Sequence, residues 1–265
     1  MLLILVFSFA GADPIQGCDA TPAQPHIYGI EIDPTVFAKT SAKYAEIDTV
    51  HVFHLGWSST TFSSSVDVSN RQTMLHQLQA APDESFASAA GSTAPSVNTT
   101  TLPRFAQTAG VARANYVVID VEGHEAHVIT GMALGVEANR RMFPAFQYET
   151  AWQSNSPEIM GKARPPEMYP VPLARHLVAS GYELYLIGCK ELWRIAPSFF
   201  AQGVGAINLL RRCNRNYTDL DPHGMWLWGN VLALHPEHAD PEMVQYVHAS
   251  ATEHAAAARK RLASQ

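Results

Sequence analysis

The sequence predicts an α/β fold built on an open, mostly parallel sheet, and two stretches carry that prediction. In Tyr116–Gly135 a β-branched run without polar alternation, Tyr116–Val121, passes through Gly123 into helical spacing. Such a strand is expected where both faces of a parallel sheet are covered. Val128 and Met132 lie one helical turn apart, as do Ile129 and Ala133, and Gly135 stands where a C′ glycine would stop the helix. In the second stretch an apolar run, Ile27–Ile32, yields at Asp33-Pro34 to a helix reaching about Tyr44, with aspartate at the N-cap and proline at N1. Open α/β sheets bind ligands at the carboxyl edge of their strands, so the residues ending these two strands are the first to weigh as a site.

The bulk numbers fit a single large domain. The chain has 265 residues, 47% hydrophobic and 16% charged, which is ordinary globular composition. Its 18 basic and 24 acidic residues leave a net charge of −6, and no window gathers enough Lys and Arg to follow a phosphate backbone, which excludes nucleic acid as the main partner. Cys18, Cys189 and Cys213 have neither a disulfide pattern nor metal-type spacing. No stretch reaches the roughly 18 apolar residues of a spanning helix.

Taken in order, Met1–Phe9 is an apolar run followed by Ala10-Gly11-Ala12-Asp13-Pro14 and admits opposed readings. As a first strand it ends in a worn glycine loop and the protein stays in the cytoplasm. As a signal peptide it offers an Ala-x-Ala site at Ala10–Ala12 without a basic n-region, and the protein is secretory. A chain shortened at its start is the third reading. Val50–Leu55 reads as a strand followed by Gly56 and Trp57. Residues 58–101, rich in Ser, Thr, Ala and Asn, read as a long flexible insertion. Asn98-Thr99-Thr100 and Asn216-Tyr217-Thr218 match the glycosylation sequon, which matters only in a secretory lumen. Leu102–Gly110 reads as a helix and Phe143–Glu149 as a buried strand. Met168–Ser180 is a helix stopped by Gly181, Tyr182–Ile187 and Leu192–Ile195 form a hairpin, and Trp226–Leu234 is a final strand. Asp240–Ala263 is an alanine-rich helix ending in Arg259, Lys260 and Arg261, which suits its negative dipole end.

The acidic residues supply the chemistry. Asp120 and Glu122 point the same way if the extended backbone continues past the strand, and Glu125 falls in the first helical turn, where the dipole favours an anion. Glu31 ends its own strand, where a carboxylate can accept the hydroxyl hydrogens of a ribose. Glu149 could join Asp120 and Glu122 as oxygen ligands for Mg²⁺ or Ca²⁺, but nothing fixes a ligand count, and no metal is assigned. His124 and His127 have the order His-Glu-Ala-His, not the zinc-binding His-Glu-x-x-His, and read as surface histidines.

Asp120-x-Glu122-Gly123-x-Glu125-x-x-Val128-Ile129-x-Gly131 resembles the signature of the FkbM-type methyltransferases. Tyr28-Gly29-Ile30-Glu31-x-x-Pro34 is similar to the family's second-strand motif. Thr101-Leu102-x-Arg104-Phe105 is similar to the segment before the signature, with Pro103 replacing the usual aspartate, and Pro144–Glu149 to a strand ending in glutamate. The resemblance covers roughly residues 27–234. It implies a class I methyltransferase domain over residues 1–235, with a Rossmann-like, mostly parallel sheet, antiparallel C-terminal strands, and residues 236–265 as an appended helix. It further implies S-adenosyl-L-methionine as cofactor, held by Gly11, Ala12 and Asp13, by Glu31, and by Gly56 and Trp57 near the adenine, with an apolar lid as the equal alternative for Trp57. Phe9 occupies the aspartate position of the family's glycine loop. The acceptor is a hydroxyl of a small molecule or glycan, and Asp120, Glu122 and His124 are candidates for the base that takes its proton. Two rival readings stay open: a non-catalytic methyltransferase-like protein with a degraded cofactor loop, and a secreted carbohydrate-binding or hydrolytic protein.

Overall fold

The computed structural model of the protein describes residues 4–9, 25–65, 96–121, 125–151, 170–188, 192–201 and 228–251. The chain divides into two units, Met1–Phe143 and Pro144–Gln265. Both mix helices with strands, and parallel and antiparallel pairings occur together.

In the first unit the long strands lie in the order β3-β2-β1-β7, with β1 at Ile4–Phe9, β2 at Pro25–Glu31, β3 at Val50–His54 and β7 at Tyr116–Ile119. β2 and β3 are parallel, with Tyr28 opposite His51 and Glu31 opposite His54. β1 corrects the sequence reading: it runs antiparallel to β2 and to β7, pairing Ile4 with Ile30, Phe9 with Pro25, and Val6 with Val117. Parallel neighbours need a crossover of a dozen or more residues, usually a helix. The proline-containing stretch between Phe9 and Pro25 has no helical periodicity, and a reversed first strand does without one.

Helix α1, Pro34–Tyr44, begins at the predicted cap: Asp33 Oδ1 accepts from the amides of Thr35 at 2.7 Å and Val36 at 3.1 Å. α1 covers one face of β2 and β3, and α2, Leu102–Thr108, covers the other. Phe105 of α2 meets Tyr28, Phe53 and Trp57 in edge or tilted contacts of 5.1–6.3 Å between ring centres. Pro103 sits in the first turn of α2, where a missing amide hydrogen costs nothing.

Residues 58–101 are less featureless than their composition suggests. β4, Gly56–Trp57, runs parallel to β6, Ser96–Thr100, and β5, Phe62–Ser65, runs antiparallel to β6, so the ends of the insertion close a three-stranded sheet. Asn98 lies within β6 opposite Ser63. Residues 66–95 lie outside the described residues.

Helix α3, Glu125–Gly131, ends earlier than the sequence predicts. Ala133, with φ 48°, takes the left-handed position expected of Gly135. A second helix that the sequence reading missed, α4 at Glu137–Met142, follows.

In the second unit the strands lie in the order β8-β11-β9-β10, all antiparallel, with β8 at Ala145–Ala151, β9 at Glu183–Ile187, β10 at Leu192–Ile195 and β11 at Trp228–Leu234. Helix α5, Pro170–Ala179, stops before Gly181, whose φ of 90° makes the turn. A final helix, α6, spans residues 241–251 of the described chain. Three elements meet on Glu183, which accepts from Tyr185 Oη at 2.6 Å, from Arg194 of β10 and from His248 of α6 at 2.7 Å. Among the described residues no helix is long and apolar enough to cross a membrane.

Ala133 and Glu183 each lend themselves to a stability measurement. Ala133 is exposed, so Ala133→Gly removes left-handed strain without opening a cavity, and the urea midpoint is expected to rise by the equivalent of about 0.5–1 kcal/mol; a fall would contradict the assignment. At Glu183 burial opposes ionisation, but Tyr185, His248 and Arg194 together hold the carboxyl below its ordinary 4.5. Its ionised form therefore stabilises the fold above about pH 4.5, and that contribution fades as acid titrates the folded carboxylate. Glu183→Gln is expected to destabilise at pH 7 and to cost progressively less below pH 4.5 in urea titrations. An equal cost at pH 7 and pH 3.5 would refute the linkage.

Candidate functional site

Strand direction decides which side chains share an edge. Because β1 is antiparallel to both β2 and β7, those two strands run the same way, and β3 runs with them. Ile4 stands opposite Ile30 on one side, and the register of Val6 with Val117 carries Ile4 level with Ile119 on the other. The next residues, Glu31 and Asp120, are therefore level at one carboxyl edge, separated by two strand spacings, about 9–10 Å of backbone.

Glu31 is buried, 2% exposed, so its carboxyl needs donors from the protein. Oε1 accepts from the amide of Asp33 at 2.9 Å, while the Asp33 carboxylate caps α1. Its main-chain carbonyl accepts from the Leu55 amide at 3.3 Å, tying the tips of β2 and β3 together. Beside it His54, the last residue of β3, places Nε2 3.1 Å from the Ile32 carbonyl and stacks on Phe37 with ring centres 5.2 Å apart. Sequence reasoning passed over His54, although it stands near the carboxyl end of a predicted strand, the same kind of position that singled out Glu31.

The acidic signature divides by environment. Asp120 is exposed where β7 ends. Glu125 is buried, and its Oε1 accepts from the Val121 amide at 3.0 Å, closing the strand-to-helix turn. Glu122, Gly123 and His124 lie outside the described residues. His127 corrects the reading of a surface histidine: it is 8% exposed, because α3 buries nearly its whole circumference, from Glu125 to Ile129. Glu149 belongs to the second unit, opposite Asn230 in β11.

Gly131, the last glycine of the signature, marks a close approach. A Cβ there would stand 2.4 Å from the main-chain oxygen of Ser58. Gly56 is less tightly placed, its nearest neighbour being the end of a side chain, Ile32 Cδ1, at 3.0 Å from where a Cβ would stand. Trp57 is 2% exposed and packed on Phe105, so its indole belongs to the core on the α2 side of the sheet. Gly11, Ala12 and Asp13 lie outside the described residues; the strand before them ends at Phe9, beside the amino end of β2.

Because the obstacle at Gly131 is main chain, Gly131→Ala is expected to destabilise by about 2–3 kcal/mol in chemical denaturation, with the α3 amides losing exchange protection first. A neutral substitution would mean that α3 stands off from Ser58.

A family model, the methyltransferase FkbM domain, matches residues 19–159, just over half of the chain and a span that includes both Glu31 and Asp120. No curated protein and no solved structure matches.

Proposed function

The chain belongs to the FkbM methyltransferase family, and on that premise we propose that it is an S-adenosylmethionine-dependent enzyme that methylates a hydroxyl of a small molecule or glycan. The observation that carries this reading is the level placement of Glu31 and Asp120 at one carboxyl edge, on strands that run the same way. A carboxylate has two oxygens with about four lone-pair directions, enough to accept from the Asp33 amide and from a vicinal diol, so Glu31 fits the ribose of the cofactor. When bound, the cofactor supplies an electrophilic methyl on a positively charged sulfur.

The chain's own residues then have two tasks. Glu31 grips the sugar and fixes where the cofactor lies along the edge. Asp120, with Glu122 and His124 of the same signature as the other candidates, takes the proton of the acceptor hydroxyl; such a base contributes about 10²–10⁴-fold. Holding acceptor and donor in line supplies the remainder by positioning. Asp120 is exposed to solvent, which suits a group that must receive an acceptor and then release a proton.

A second reading, a methyltransferase-like protein without catalysis, draws support from the reversal of β1, whose carboxyl end points away from the edge that holds Glu31. Calorimetric titration with S-adenosylhomocysteine separates the two. The enzyme reading expects micromolar binding that Glu31→Ala weakens at least about tenfold, the loss of charge-assisted hydrogen bonds. Absence of binding at millimolar ligand would sink it and leave the non-catalytic reading.

A further inference from the structure

We propose that His54 is a positioning residue for cofactor binding, acting through a single peptide unit to hold the Glu31 carboxylate in place. The inference rests on the reading of Glu31 as the ribose acceptor. A carbonyl oxygen carries no hydrogen, so the 3.1 Å contact between His54 Nε2 and the Ile32 oxygen requires the imidazole to donate from Nε2. That oxygen belongs to the same planar amide as the Asp33 N–H, which donates to Glu31 Oε1 at 2.9 Å. The Ile32–Asp33 peptide is thus held on both sides, by His54 at its oxygen and by Glu31 at its hydrogen. Accepting at the oxygen polarises the amide and strengthens its hydrogen as a donor.

Three further contacts make the arrangement rigid. Phe37 of α1 stacks on the His54 ring at 21° between planes, which limits its rotation. Glu31 and His54 are register partners on adjacent parallel strands. The Asp33 side chain is committed to the amides of Thr35 and Val36, so the peptide cannot turn without uncapping the helix. Removing the imidazole leaves the Ile32 carbonyl without this donor, so the peptide is held by the helix cap alone; its N–H is a weaker donor, and the Glu31 carboxylate is less firmly directed.

The test compares wild type, His54→Ala, His54→Gln, Glu31→Ala and the Glu31→Ala/His54→Ala double variant by calorimetric titration with S-adenosylhomocysteine. His54→Ala is expected to weaken binding about three- to tenfold, the worth of one hydrogen bond. Gln retains an amide donor, and His54→Gln should recover most of the affinity. The double variant should bind no more weakly than Glu31→Ala alone, since His54 acts only through that carboxylate. Wild-type affinity in His54→Ala, or the same fold-loss in the Glu31→Ala background, overturns the proposal while leaving the cofactor reading intact. Hydrogen exchange at the Asp33 amide gives a readout without ligand: faster exchange in His54→Ala supports the proposal, and an unchanged rate refutes it. Failure of wild type to bind, with Asp33 exchange accelerated as expected, locates the error in the cofactor reading instead.

Discussion

A carboxyl group almost withdrawn from water at the end of β2 sets the terms for the first unit. Burial of such a group costs several kcal/mol unless donors replace the lost water. Glu31 finds one in the Asp33 amide, and that contact requires the chain to turn immediately after the strand. Asp33 can make the turn because its own side chain takes over the first helical amides, and Pro34 enters where an amide hydrogen is not needed. Strand end, turn and helix start are therefore one hydrogen-bonded object. A change at any of its members alters where the Glu31 oxygens point.

The direction of the strands around that object gives it a neighbour. β1 fills the place between β2 and β7, and because it is reversed with respect to both, it leaves their carboxyl ends together. An acidic residue that closes β2 then looks across one strand to an acidic residue that follows β7. The reversal also places Phe9, the last residue of β1, beside Pro25 at the amino end of β2, the end opposite this edge.

Much of this was legible in the sequence because local chemistry decides it. The Asp33-Pro34 helix start, the turn at Gly181 and the hairpin from Glu183 to Ile195 each depend on residues within a few positions, and each appears where the pattern put it. Other features depend on partners distant in sequence. The direction of β1 is set by which strands flank it, and an apolar run does not encode that. The serine- and threonine-rich composition of β5 and β6 hid a sheet, because edge pairing of backbones requires no apolar alternation; Thr99 is nonetheless 1% exposed. His127 is buried because α3 is covered nearly all round, which a one-sided helical pattern does not anticipate. Gly131 reads in the sequence as one letter of a signature; the proximity of the Ser58 main chain gives the physical reason for a residue without a side chain.

The same distinction applies inside the acidic motif. Glu125 and Asp120 are five residues apart in one strand-to-helix turn, yet their environments differ. Glu125 is buried and accepts from the Val121 amide, so its carboxylate is part of what closes the turn. Asp120 is exposed at the carboxyl edge, where β7 ends. A buried carboxylate that accepts from a backbone amide offsets the cost of its own burial through that bond, so the Glu125–Val121 contact and the burial of Glu125 stand or fall together. The buried acid holds the geometry of the turn, and because Asp120 stands only five residues before it, the placement of the exposed acid depends on the integrity of that turn.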